Sequence, residues 1–264
     1  MNPSSMETTG RRRAQVMAVT SGKGGVGKTF FSANLAAGLA ARGCKVLVLD
    51  ADLGLANLDV VLNLTPKLTL HDVFTGNVEL DDVILQAPGG FSVVLAGSGL
   101  VEYSRLTPEV RDRLQTCVAA LIPRYDFVLL DTGAGISDVV LYTVSLAAEV
   151  VVVATPEPTS LTDAYATIKV LASQQHRTSI RLVVNQSTKV GQGKAIRAQL
   201  QTVLDRFVTT GDGAAVKLDY LGEVPQDQAV RDAVQKRMLL VESFPGSEAA
   251  LAIGVIASRL APAD

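Results

Sequence analysis

Seven short apolar runs punctuate the chain: QVMAVTS at 15–21, KVLVLD at 45–50, FSVVLAG at 91–97, DFVLLD at 126–131, EVVVVAT at 149–155, IRLVVNQ at 180–186 and KLDYLGEV at 217–224. Most are rich in Val and Leu and show no polar alternation. A strand with one wet face would alternate, so the pattern predicts strands covered on both faces, as in a parallel sheet. Between most runs the period lengthens to that of a helix. Residues 31–42 put Phe31, Leu35, Ala36 and Leu39 on one stripe and stop at Gly43, a predicted C-cap. Residues 108–122 follow Thr107 as N-cap, with Pro108 in the first turn. Residues 159–175 and 191–207 keep the same spacing, and 229–237 predicts a short helix. Strands alternating with helices predict an α/β fold: a doubly wound, mostly parallel sheet flanked by helices, joined by right-handed crossovers. Ligands are then expected at the carboxyl ends of the strands.

No repeat, low-complexity linker or compositional break divides the 264 residues. Residues 15–264 are therefore expected to form one domain after a flexible tail, residues 1–14, although the length is near the upper limit for one core. With 48% hydrophobic and 19% charged residues, the chain should fold rather than stay disordered. The net charge of −2 favours neither nucleic acid nor an acidic membrane as a partner. Arg11, Arg12 and Arg13 read as a solvated lead-in to the first strand. Cys44 and Cys117 are far apart and in no CxxC pair, which argues against a disulfide scaffold or a cysteine metal site and suits a reducing cytoplasm. No apolar run approaches the ~20 residues that span a bilayer, and no apolar stretch follows the N-terminal arginines to make a secretion signal. His71 and His176 have no ligand-spaced carboxylate or cysteine and are expected to be neither metal ligands nor catalytic bases.

The chemistry concentrates after the first run. Ser21 leads into Gly22, Lys23, Gly24, Gly25, Val26, Gly27, Lys28 and Thr29, which fits GxxxxGK[ST] and opens a helix. That context marks a phosphate loop. Its glycines let backbone N–H groups approach phosphate oxygens, and the helix N-terminus adds partial positive charge. Lys28 is expected to neutralise the β and γ phosphates of ATP, and the Thr29 hydroxyl to ligate Mg²⁺. Two later runs end in Asp50 and Asp131, the second in the form of a Walker B carboxylate. Mg²⁺ keeps several waters, so these two are expected to hold it mainly through water ligands. Asp52 directly precedes LGLANLD and is the candidate to orient an attacking water. Lys23 is left without a duty, because one subunit's phosphates need only one loop lysine.

With that additional lysine, KGGVGKT resembles the deviant Walker A motif of the MinD/ParA group of P-loop ATPases. The resemblance implies that Lys23 reaches across an ATP-dependent homodimer to the other subunit's phosphates and steadies transition-state charge. Lys23, Lys28 and Asp52 then form the catalytic set. Residues 48–62, with Asn57, look like the group's switch I, and 131–137 like its switch II. Asn185, Pro225 and Asp227 match its adenine-side elements, where an amide can pair with the base edge. Within the group, the nearest resemblance is to the flagellar-number regulators, FlhG/FleN. It rests on DLGLANLDVVLNL, DTGAGIS, PEPTSLTDAYATIKVL and YLGEVPQDQAVRDAVQKRMLLVESFPGSEAA. In the third stretch Thr159 or Ser160 can cap a helix that carries Leu161, Tyr165 and Ile168 on one face.

What the resemblance implies is a slow, Mg-dependent, ATP-controlled switch that limits flagellum number or placement. Its implied partners are a flagellar transcriptional activator, flagellar switch-complex proteins or a signal-recognition-type GTPase, and its implied place is the cytoplasm, with transient visits to the membrane or cell pole. Direct nucleic-acid binding is not expected. The chain departs from the group in three ways. Phe30 stands where many partition ATPases carry a hydroxyl residue that contacts the α-phosphate. The N-terminal stretch has no DQAxxLR-like sequence for stimulating a GTPase. The C-terminal LAIGVIASRLAPAD carries one basic residue, Arg259, and ends in Asp264, so a core helix with weak or absent membrane binding is expected. Arg231, Lys236 and Arg237 read as a solvated face. The alternatives are a cell-division or DNA-partition ATPase and a non-hydrolysing nucleotide-binding module; an iron–sulfur carrier of this fold would need paired cysteines.

Overall fold

A computed structural model describes residues 14–54, 56–97 and 106–261. Arg11, Arg12, Arg13 and Asp264 lie outside the described residues. Eight strands form one sheet: β1 (Gln15–Ser21), β2 (Val46–Ala51), β3 (Ile84–Gln86), β4 (Ser92–Val94), β5 (Phe127–Ala134), β6 (Glu149–Ala154), β7 (Ser179–Ser187) and β8 (Lys217–Pro225). Their order across the sheet is β3-β4-β2-β5-β1-β6-β7-β8. Every neighbouring pair is parallel except β3–β4.

The continuous apolar runs are explained by cover on both faces. Along β1, Val16 and Ala18 enter one core, and Met17 and Val19 enter the other. The first core is closed by α3 (Leu70–Thr75), α4 (Pro108–Leu121), α5 (Asp138–Ser145), α6 (Pro158–Gln175) and α7 (Gln192–Phe207). The second is closed by α1 (Lys28–Ala40), α2 (Leu58–Leu62), α8 (Gln228–Lys236), α9 (Leu240–Ser243) and α10 (Glu248–Leu260). The C-terminal helix α10 buries Ala249, Ala250, Ile253, Ile256, Ala257 and Leu260 in that core. Among the described residues no helix is long and apolar enough to cross a membrane.

Three local differences from the sequence pattern have physical causes. The helix expected over 31–42 begins at Lys28, directly out of the loop, and ends at Ala40; Gly43, with φ +81°, lies past its end. The run at 91–97 is a strand only over Ser92–Val94, and it pairs with the unforeseen edge strand β3, whose three residues are too short to show a period. Helix α5 was also unforeseen, because DVVLYTVS has strand-like β-branched content; Ser137 nevertheless caps it by accepting from Val140 N.

The same helix is closed at its far end by a distant side chain. Arg177 donates from Nη1 to Ala148 O and from Nη2 to Val144 O and Ala147 O, carbonyls at and just beyond the α5 terminus. Truncating it removes all three of these bonds, although Val144 O keeps its bond from Ala147 N. Arg177→Ala is expected to lower unfolding free energy by about 1–2 kcal/mol, with an unchanged m-value in urea titration.

Candidate functional site

Parallel strands bring the segments after β1, β2, β5, β6, β7 and β8 to one edge of the sheet. The chain turns at this edge because β1 is flanked by β5 on one side and β6 on the other, the switch point where such sheets bind ligands. Residues 22–27 wrap over the start of α1 there. Two glycines are required by geometry. Gly27 has φ +90°, and a Cβ on it would lie 2.5 Å from Asn185 Nδ2. A Cβ on Gly22 would lie 2.2 Å from the backbone of Asp163, so the loop packs directly on α6.

A cleft of about 550 Å³ opens over the loop, lined by Gly24, Gly25, Gly27, Lys28, Thr29 and Phe30, by Ala51–Gly54 and Asn57 after β2, and by residues from Gly133 to Val140 after β5. Lys28 is only 8% exposed. Burial pulls its pKa below the ordinary lysine value, and the Asp131 and Asp52 carboxylates oppose that drop. Asp50 and Asp131 are partners in register on β2 and β5, each 1% exposed, behind the cleft wall. Burial pushes the Asp50 carboxyl well above the usual carboxylate range, with the Asp131 charge adding to the rise. Burial likewise pushes Asp131 up to about 6, against hydrogen bonds from Thr29 and Ser32 and the Lys28 charge. Asp52 stands at the opposite lip, and a Cβ on Gly133 would lie 3.4 Å from its carboxylate.

The donor set fits a hydrated Mg²⁺. Asp50 Oδ1 accepts from Asp52 N at 3.2 Å, whereas Asp50 Oδ2 is buried with no hydrogen-bond partner among the described residues. An orphaned carboxylate oxygen is costly unless a cation or its water completes it. Among the described residues, no group of three or more His, Cys, Asp or Glu could hold an ion alone. Ligands would come instead from water, the Thr29 hydroxyl and phosphate, the usual habit of Mg²⁺.

Beyond Gly27 and Phe30 lies a second cleft of about 340 Å³, whose walls include Asn185, Pro225 and Asp227. The Asn185 amide is already partly engaged: Nδ2 donates to Val26 O at 2.8 Å and Oδ1 accepts from Gln186 N at 2.9 Å. One donor and one lone pair remain for a ligand. Asp227 caps α8 through Ala229 N and also accepts from Ala249 N, tying α8 to α10. Arg231 lines this cleft, while Lys236 lies over the Phe244 ring at 5.7 Å.

Lys23 does not line either cleft. Its ammonium donates to Glu157 Oε2 at 2.9 Å and to Thr159 Oγ1 at 3.1 Å, at the start of α6. Thr159 therefore serves Lys23, and Ser160 accepts from Thr155 N; the residue preceding α6 is Glu157, with Pro158 in the first turn. Glu157 is 134 residues from Lys23 and gave no sequence signal. Ser32 was also missed. It is fully buried and its hydroxyl donates to Asp131 Oδ1 at 2.8 Å. A small polar residue four positions after Lys28, on a mostly apolar helix that also carries Asn34, was the available clue.

Comparison with known proteins places the chain among nucleotide-binding domains. Residues 17–241 match the CobQ/CobB/MinD/ParA nucleotide binding domain. The chain is 46% identical over 246 residues to the antiactivator FleN of Pseudomonas aeruginosa, covering 93% of this chain and 86% of that protein. It is 32% identical to the flagellum site-determining protein YlxH of Helicobacter pylori, covering 92% and 81%. The solved structure of the septum site-determining protein MinD from Pyrococcus horikoshii, complexed with Mg-ADP, superposes with a TM-score of 0.74 at 26% identity, covering 94% and 96% of the two chains.

Proposed function

The chain belongs to the CobQ/CobB/MinD/ParA nucleotide-binding family, and from that premise we propose that it is an ATP-controlled, dimerising switch ATPase that governs flagellum number or placement. The observation that carries this reading is the division of labour between two loop lysines. Lys28 is buried in the cleft, whereas Lys23 points out of it and is held at the rim by Glu157 and Thr159. A cation of that kind serves no phosphate of its own subunit and is free to serve a partner's.

In this scheme the loop N–H groups and Lys28 grip the β and γ phosphates. Thr29, Asp50 and Asp131 hold Mg²⁺, largely through its waters, and Ser32 fixes the orientation of Asp131. The ion supplies charge neutralisation for the triphosphate. Asn185, Pro225 and Asp227 bound the adenine end. Asp52 orients a water whose oxygen attacks the γ-phosphorus; the bond to the β–γ bridging oxygen breaks, ADP leaves, and the surplus proton goes to phosphate or solvent. Turnover is slow because the remaining charge stabiliser, Lys23, arrives only with the second subunit. Of the three partner classes, a flagellar transcriptional activator is favoured, since a relative matching most of the chain is described as an antiactivator. The flagellar likenesses also favour this reading over cell division, DNA partition or a nucleotide-binding module without turnover.

Asp52→Ala tests the assignment. Removing a positioned acid–base group costs about 10²–10⁴-fold in rate. The variant is expected to keep ATP-dependent dimerisation in light scattering and to lose phosphate release by at least about 100-fold. A pull-down with this variant held in ATP should then recover flagellar components. Phosphate release at the unaltered rate, or recovery of septum or plasmid components alone, would sink the proposal.

A further inference from the structure

Only two residues line both the phosphate cleft and the second cleft, Gly27 and Phe30. Gly27 has no side chain, so the Phe30 ring is the one side chain shared between them among the described residues. A ligand held by Lys28 at one end and reaching Asn185 at the other must pass it. Phe30 is half-buried and rests on the second core, and its carbonyl is fixed by Asn34 Nδ2 at 2.9 Å. Beside the polar Gln226, Asp227 and Arg231, the second cleft also presents an apolar surface of Pro225, Val230 and Val234. Polyphosphate gains nothing from such a surface; a planar base and the carbon face of a ribose do.

We infer that Phe30 is a specificity-determining residue for the nucleoside, its ring giving an apolar face to the base-and-ribose end of the bound nucleotide. The inference rests on the nucleotide-binding reading above. It makes affinity lean on the nucleoside, at a position where a hydroxyl side chain would contact phosphate instead. Base–aromatic contacts lie in a range that corresponds to about 5- to 150-fold in affinity.

Calorimetric titration of ATP, ADP and inorganic tripolyphosphate tests this on the full chain. Phe30→Leu keeps the bulk that rests on the core and removes the aromatic face. It is expected to weaken ATP and ADP about tenfold and leave tripolyphosphate within about twofold. Phe30→Tyr should restore the nucleotide affinities to within about threefold. A second measurement needs no destabilising change. With 4-fluorophenylalanine in place of the seven phenylalanines, the signal lost in Phe30→Tyr should shift with ADP and hardly move with tripolyphosphate. Equal losses for ATP and tripolyphosphate, or an unmoved fluorine signal with ADP, would overturn the role of Phe30 alone. An unaltered protein that binds neither ATP nor ADP would overturn the nucleotide-binding reading and this inference together.

Discussion

Lys28→Ala is expected to weaken ATP binding by on the order of 10²–10⁴-fold, and binding of ADP, which lacks the γ-phosphate, by about 10–10²-fold. Hydrogen bonds from an ammonium to phosphate contribute about 1.5–3 kcal/mol each, and Lys28 can make two such bonds at the β and γ positions. At 1.4 kcal/mol per decade, two bonds span that range. The position adds to the effect. Lys28 is 8% exposed and faces Asp131 and Asp52, so its charge offsets buried negative charge as well as phosphate. Without it, a triphosphate would enter a cleft whose permanent side-chain charges are carboxylates. Isothermal titration with ADP is the direct measurement. Lys28→Met, which fills the same space without charge, should behave like the alanine variant. Near-normal ADP affinity in the methionine variant would show that the loop backbone alone holds the phosphates, and the role given to Lys28 would fall.

How much of this was legible in the sequence follows the range of each interaction. The phosphate loop and its lysines are contiguous, and the surrounding strand and helix carry their own periods, so 22–29 could be read directly. Asp50 and Asp131 were legible because each ends an apolar run, and strand ends at one sheet edge converge by topology. What escaped is set by contacts between distant segments. Ser32 meets Asp131 across 99 residues, and Asn185 meets Val26 across 159. The engagement of the Asn185 amide by the loop backbone has no local signature. It joins the second cleft to the loop, where Gly27 must be bare for the amide to fit. Short elements escaped for another reason. Strand β3 exists because β4 offers it a partner, and α5 forms against the propensity of its β-branched residues because its apolar side is buried against the sheet.

Lys23→Ala is expected to bind ATP as the unaltered protein does and to lose the ATP-dependent dimer. In the single chain its ammonium is tied to Glu157 and Thr159, with side-chain exposures of 40% and 61% for the lysine and the glutamate. An ion pair that open to water contributes about 0–1 kcal/mol, so releasing it costs little and deleting it should leave the fold intact. Across a two-fold interface the contact occurs twice. Two charge-assisted bonds from ammonium to phosphate contribute about 3–6 kcal/mol together, which corresponds to about 10²–10⁴-fold in dimer dissociation constant. The asymmetry between those two numbers would make Lys23 a switch under this proposal: weakly parked at home, strongly held by a neighbour's triphosphate. Light scattering with ATP and with ADP, alongside calorimetry, separates the two effects. Glu157→Gln serves as the control, because it frees α6 from the ion pair while leaving the lysine charge; it should still dimerise with ATP. If Lys23→Ala dimerises with ATP as readily as the unaltered chain, or if Glu157→Gln fails in the same way, the lysine acts only within its own subunit. The cation that completes the neighbouring site must then come from elsewhere.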